Sequence, residues 1–218
     1  GLGFEIADTF EWGGGGERGP SANTLLVTDG AGRAMMIDAT APLTRSGELT
    51  IGTAPLTENL ELIASSAGIL WVISGSTAER FDTNHQRWLP AITLTGVAND
   101  IAAMPNGVAI GTQGNGLLLL TNAGVQYDVL NSAAGGDNNV EHVVHDPGTG
   151  YVATVSNQGK IRAIDPAVGM PPGIASREVW NSGTDHGVSD VTANDDRLYI
   201  GTEQDGVLRF SMLDGTAL

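Results

Sequence analysis

Short apolar runs, each followed within a few residues by a glycine-bearing turn and a second run, recur along the whole chain. Five segments carry this pattern: TLLVTDGAGRAMMID (24–38), ILWVISGSTAERFD (69–82), GVAIGTQGNGLLLLTN (107–122), YVATVSNQGKIRAID (151–165) and RLYIGTEQDGVLRFSMLD (197–214). The first run of each is short and almost continuously apolar, as at Leu198, Tyr199 and Ile200, which is the mark of a strand covered on both faces. Between the runs stand Asp29-Gly30, Gly75, Gly114-Asn115-Gly116, Gln158-Gly159 and Asp205-Gly206, residue types that accept positive φ and close hairpins at little cost. The pattern predicts five β-hairpins. No apolar run reaches the roughly 20 residues that a membrane helix needs, so no membrane insertion is expected.

Each hairpin has flanking strand signals. Upstream lie NLELIAS (59–65), ANDIAAM (98–104), NVEHVVH (139–145) and GVSDVTA (187–193), predicted as innermost strands. Downstream lie GELTIGT (47–53), QRWLPAITL (86–94), VQYDVL (125–130) and REVWNS (177–182), predicted as outermost strands. The hairpins start roughly 38 to 46 residues apart, the period of a four-stranded propeller blade rather than of a shorter solenoid unit. The expectation is an all-β fold, one five-bladed β-propeller domain over residues 1–218 with four-stranded antiparallel blades. The fifth unit lacks an outer strand, while FEIADTFEW (4–12) is spare at the amino terminus, so Phe4–Trp12 is expected to close the ring on the last blade and cover its edge. The alternative makes residues 4–10 the inner strand of the first blade, with GGGGERGPS as a long hairpin loop.

Composition narrows the partners. The formal charge is −15, and nine of the ten basic residues are Arg, so nucleic acid and anionic lipid are excluded as electrostatic partners. The absence of cysteine removes disulfides and thiolate metal sites. Charged residues make up only 16% of the chain, which leaves the polar surface to Thr, Ser, Asn and Gln and leans towards an extracellular or virion-surface protein.

The strings RLYIGT-EQDG-VLRFS and YVATVS-NQG-KIRAID resemble blades of the β-propeller repeat superfamily, of the YVTN, quinoprotein-like and sensor-propeller types. The resemblance spans most of the chain but lacks the repeated Trp-Asp ending of WD40 blades, so that family's assembly roles do not carry over. It implies that the hairpin turns and the connections into the inner strands meet on one face, the usual ligand face. Such motifs are shared by unrelated activities and speak to fold alone.

Aligning the inner strands on Leu60, Ala98, Val140 and Val188 brings Leu62, Asp100, His142 and Asp190 into one row, and Glu61, Asn99, Glu141 and Ser189 into the row before it. Adjacent strand residues face opposite sides, so regular geometry lets only one row face the channel. Asp100, His142 and Asp190 are candidates for a polar arc holding a ligand or cation, and equally for groups that tie down backbone N–H donors. Asn99, Glu141, Asp185 and His186 complete the candidate set. Asp137, Asn138 and Asn139 are candidate calcium ligands, although no ordered Asp-x-Asp-x-Asp-Gly loop is present and turn chemistry explains them as well. Calcium is the one cofactor considered.

His85, His142, His145 and His186 show no helical zinc-hydrolase spacing, and no nucleophile elbow, phosphate loop or dinucleotide fingerprint appears. No catalytic residue is assigned. The leading expectation is a non-enzymatic binding, adhesion or assembly module that meets a protein or glycan partner through its loop face. The alternatives are a virion or tail-associated structural domain, a sensor-type propeller, and a glycoside hydrolase using Asp100, Asp190 and Glu61 or Glu141 as channel carboxylates. Trp71 is expected in the core, and Trp12, Trp88 and Trp180 in blade packing, with Trp88 or Trp180 also able to contact a partner from the rim.

Overall fold

The computed structural model describes residues 62–218 apart from 83–84, 86, 132–136, 167–175 and 182–186, together with the backbones of 8–12, 24–28, 34–38 and 44–49. The chain divides into two compact units, Gly1–Leu94 and Thr95–Leu218. Among the described residues the regular elements are all strands, and within each sheet every strand pairs antiparallel with the next along the chain.

In the first unit, β1 (Asp8–Trp12), β2 (Thr24–Thr28), β3 (Ala34–Asp38) and β4 (Thr44–Leu49) form one sheet, and β5 (Leu62–Ser66), β6 (Ile69–Ser74), β7 (Thr77–Asp82) and β8 (Arg87–Thr93) a second. The second unit has three sheets. The first is β9 (Val97–Met104), β10 (Gly107–Gln113), β11 (Gly116–Thr121) and β12 (Gln126–Leu130). The next is β13 (Val140–His145), β14 (Val152–Ser156), β15 (Lys160–Ile164) and β16 (Ser176–Asn181), and the last is β17 (Val188–Asn194), β18 (Arg197–Thr202) and β19 (Gly206–Ser211). The five predicted hairpins, and the inner strands from β5 onward, stand within a few residues of where the apolar pattern puts them.

Burial explains why the middle strands read as continuously apolar. In β10 and β14 every residue is buried except Gln113 at the end of β10, so both faces are dry and alternation disappears. Within the second unit, Ala109, Leu117 and Leu119 pack onto Val140, Val143 and Val152, while Val155, Ile161 and Ala163 pack onto Leu198, Ile200 and Phe210. These two layers place β13 beside β9 and β17 beside β13, so the first strands of successive sheets adjoin one another.

A buried hydroxyl residue stands at the end of the second strand of three sheets, at Ser74, Ser156 and Thr202, and one residue before it in β10, at Thr112. Thr112 Oγ1 donates to the Gly116 carbonyl at 2.8 Å and Thr202 Oγ1 to the Gly206 carbonyl at 3.0 Å, while Ser156 Oγ accepts from the N–H groups of Gln158 and Lys160. These side chains close turns whose backbone would otherwise leave buried polar groups unpaired.

The amino-terminal strand departs from expectation. Its described part, β1, pairs with β2, with Asp8 opposite Thr28 and Trp12 opposite Thr24, and does not pair with the last sheet. This corrects the expected closure of the last blade by Phe4–Trp12 in favour of pairing with the first hairpin. The physical reason is loop closure: pairing across one short glycine-rich connection loses far less chain entropy than joining the two ends of the chain. The free edge of β19 is instead met by the residues that follow it. Ser211 N–H donates to the Thr216 carbonyl, Phe210 bridges Ala217, and Leu218 N–H donates to the Arg209 carbonyl at 3.0 Å.

Candidate functional site

The three inner strands of the second unit share an irregularity that gives the candidate residues their geometry. In β9 the register shifts where Asn99 has no partner between the pairs Ala98–Thr112 and Asp100–Gly111. β13 shifts likewise at Glu141, between Val140–Ser156 and His142–Val155, and β17 at Ser189, between Val188–Thr202 and Asp190–Gly201. Each is a β-bulge, which sets two residues opposite one and re-aims a side chain. The two rows aligned in the sequence are therefore the bulge residues and the residues that follow them. Strict alternation, which would send the rows to opposite sides, does not hold at this end of the strands.

The row after the bulges is drawn into the fold by hydrogen bonds. Asp100 Oδ1 accepts from its neighbour Ile101 N–H at 2.8 Å, and Oδ2 reaches the adjoining strand to accept from Val143 N–H at 2.6 Å. Asp190 repeats the local half of this, accepting from Val191 N–H at 2.8 Å. Asn99 Nδ2 donates to the Val140 carbonyl at 2.9 Å. Burial raises the Asp100 carboxyl above its ordinary value; the N–H donors of Val143 and Ile101 and the His142 imidazole oppose this, and the Asp190 carboxylate adds to it. Asp100, His142 and Asp190 thus stand at one end of three adjoining strands. Asn99, Glu141, Ser189 and Asp190 are exposed, whereas Asp100 and His142 are half-buried.

Close approach of the strands depends on glycine. A Cβ on Gly111, opposite Asp100, would stand 2.7 Å from Val140 Cγ1 and 2.8 Å from Val143 Cγ2, so only glycine lets β13 lie this near β10.

The loops at the same end are cross-linked. Asn139 Oδ1 accepts from Gly114 N–H at 2.8 Å in the β10–β11 turn, and its carbonyl accepts from Asn157 N–H in the β14–β15 turn. The Asn138 carbonyl accepts from Gly116 N–H at 2.7 Å. Asp137 Oδ2 accepts from Arg162 Nε at 2.9 Å, and Lys160 Nζ stands 3.7 Å from its other oxygen. The residues considered for calcium are thus engaged with turn amides and cations, and no group of three or more acidic or His side chains able to hold a metal occurs among the described residues. Asp185, His186 and Glu61 lie outside the described residues.

Trp71, Trp88 and Trp180 each pack against another side chain. Trp71 is fully buried beneath the Arg80 guanidinium, 5.5 Å from the ring. Trp88 lies against Phe81 with ring centroids 5.1 Å apart, and Trp180 against Phe210 at 5.8 Å; both are half-buried.

The residue that sequence reasoning passed over is Asp146, fully buried at the far end of β13. Its carboxylate accepts from the N–H groups of Gly148 and Thr149, from Thr149 Oγ1 at 2.7 Å, and from the N–H groups of Asp195 and Asp196 in the β17–β18 turn. Asp195 and Asp196 sit at φ of 49° and 69°, a left-handed pair that this carboxylate holds in place. Burial alone would raise the Asp146 carboxyl, but the donors from Asp196, Thr149 and Gly148 together outweigh it and hold the group below its ordinary value. The signal was present in the Asp-Pro-Gly-Thr-Gly string after the strand and in the Asn-Asp-Asp turn, but not their meeting.

In comparison with known proteins, the chain matches no family model and no curated protein sequence.

Proposed function

We propose that the chain is a non-enzymatic binding or assembly module, a five-bladed propeller whose ligand face is the bulged end of its inner strands. One observation carries the reading: the same bulge recurs in β9, β13 and β17 and leaves Asn99, Glu141, Ser189 and Asp190 exposed beside cross-linked loops. Hydrogen bonds to main-chain groups make this end rigid, and a rigid polar surface loses little entropy on binding. Exposed carboxylates at Glu141 and Asp190, on a chain of net charge −15, suit a neutral or cationic partner, either a basic protein segment or a glycan. An extracellular or virion-surface setting fits the low charge density.

The test is binding on glycan and basic-peptide arrays by the wild type and by Glu141→Gln/Asp190→Asn. Loss of about tenfold or more in affinity with an unchanged melting temperature is expected, since two exposed carboxylates are removed without touching the core. Equal binding by both proteins would move the ligand face elsewhere. A second reading, glycoside hydrolysis, draws on the raised Asp100 carboxyl as a general acid. Both Asp100 oxygens are engaged by main-chain donors, which weighs against it. Polysaccharide hydrolysis abolished in Asp100→Asn would reverse that preference.

A further inference from the structure

His145, the last residue of β13, carries a buried nitrogen without a partner: no donor or acceptor reaches its Nε2. It lies opposite Val152 and on the face of Val143, both of which pack into the apolar cluster with Met104 and Ala109. Burial holds the imidazole below its ordinary value, so it is neutral at neutral pH, and the adjoining Asp146 carboxylate opposes this only in part. β9 and β10 pack against β13, and the turn joining them, 104–107, has no titratable side chain. On β15, Arg162 lies two residues from Ile164, the partner of Val152, and is tied to Asp137; Asp165 follows that strand. Tyr151 packs into the other cluster, and Asp195 and Asp196 stand in the β17–β18 turn across Asp146. Of all these groups, Asp146 is the one whose charge acts on the ring.

Asp146 has no free position for a further donor. Its Oδ1 accepts from the Gly148 and Asp195 N–H groups, and its Oδ2 from Thr149 N–H, Thr149 Oγ1 and Asp196 N–H. These donors fill a carboxylate that has about four lone-pair positions. A proton added to His145 creates a buried N–H with no acceptor, and a charged donor binds a carboxylate more strongly than a neutral amide does. The imidazolium is satisfied only by displacing donors from Asp146. The Gly148 and Thr149 donors belong to the same turn as Asp146, whereas the Asp195 and Asp196 amides come from another sheet.

We propose that His145 is an acid-operated release for the joint between the β13–β14 and β17–β18 turns, its imidazolium drawing Asp146 away from the Asp195 and Asp196 amides. Asp195 and Asp196, at φ of 49° and 69°, then lose the support of their left-handed backbone, while the loops at the bulged end stay cross-linked. A group lowered by folding contributes its stability in full above its ordinary value, and that contribution is lost as pH falls through the folded value. Asp146, itself held below its ordinary value, is still ionised in that range. The joint is thus closed at neutral pH and open in mild acid. It is independent of any ligand at the bulged end.

The test is amide hydrogen exchange of the folded full chain, followed by NMR between about pH 8 and about pH 5 and corrected for the intrinsic effect of pH on exchange. The Asp195 and Asp196 amides should lose about tenfold or more of their protection on acidification, while Gly116 N–H, held by the Asn138 carbonyl, should keep its own. His145→Gln, which cannot charge, should remove the pH dependence. In the wild type, the His145 ring and the Asp195 and Asp196 amide chemical shifts should titrate with one midpoint, a readout that stands even if the Gln variant fails to fold. Protection that does not change with pH would overturn the proposal. So would an equal loss at Gly116, which is global unfolding, a pH dependence retained in His145→Gln, or separate midpoints for ring and amides.

Discussion

Asp146 shows how much one residue can decide. Its buried carboxylate ties the β13–β14 turn to the β17–β18 turn and offsets the cost of two consecutive non-glycine residues at positive φ. Replacing it with Ala leaves buried donors unpaired and is expected to destabilise the chain by about 3 kcal/mol, read from urea denaturation. Asp146→Asn, which keeps one acceptor oxygen, should cost less. The carboxyl lies below its ordinary value in the folded chain, so its contribution is complete above that value and is lost as pH falls through the lower folded one. The stability difference between wild type and Asp146→Asn should therefore shrink on acidification in that range. Asp100 has the opposite sign: burial raises its carboxyl, so protonation favours the folded chain. The two carboxyls are thus shifted in opposite directions, and only their surroundings distinguish them.

Among the elements, the inner strands carry the information. Their apolar positions were readable, and the rows Asp100, His142, Asp190 and Asn99, Glu141, Ser189 followed from alignment. What the alignment could not supply was the bulge, because an extra residue in a strand leaves no mark on composition and appears only as a shift in register against the partner. Gly111 belongs to the same arrangement. Gly111→Ala would force a methyl against Val140 and Val143, and a cost of about 1–3 kcal/mol is expected from overpacking. Because β13 would move, binding at the bulged end should weaken together with stability in that variant. Glu141→Gln/Asp190→Asn should lose binding alone, and the comparison separates support from contact. The packing partner of Trp180, Phe210, comes from the following sheet, a meeting that no local pattern identifies, whereas Phe81 faces Trp88 across the β7–β8 pair.

At the scale of the whole molecule, the five-bladed ring is the proposal with the widest consequence. It predicts a single cooperative unfolding transition for the chain, with equal calorimetric and van't Hoff enthalpies. Two separate transitions would show independent units and remove the ring. Of the expected clasp, the described residues Asp8–Trp12 pair with Thr24–Thr28 instead, the local partner being the easier one to reach.

The sequence by itself determined which residues become strands, where the hairpins turn and which strands are buried on both faces. These follow from apolar periodicity and from glycine at turns, both local in the chain. Only the tertiary structure decided the register shifts at Asn99, Glu141 and Ser189, the meeting of Asp146 with Asp195 and Asp196, and the partner of the amino-terminal strand. Each of these depends on groups far apart in sequence competing for the same hydrogen bonds or the same space, and that competition is settled only when the sheets pack together.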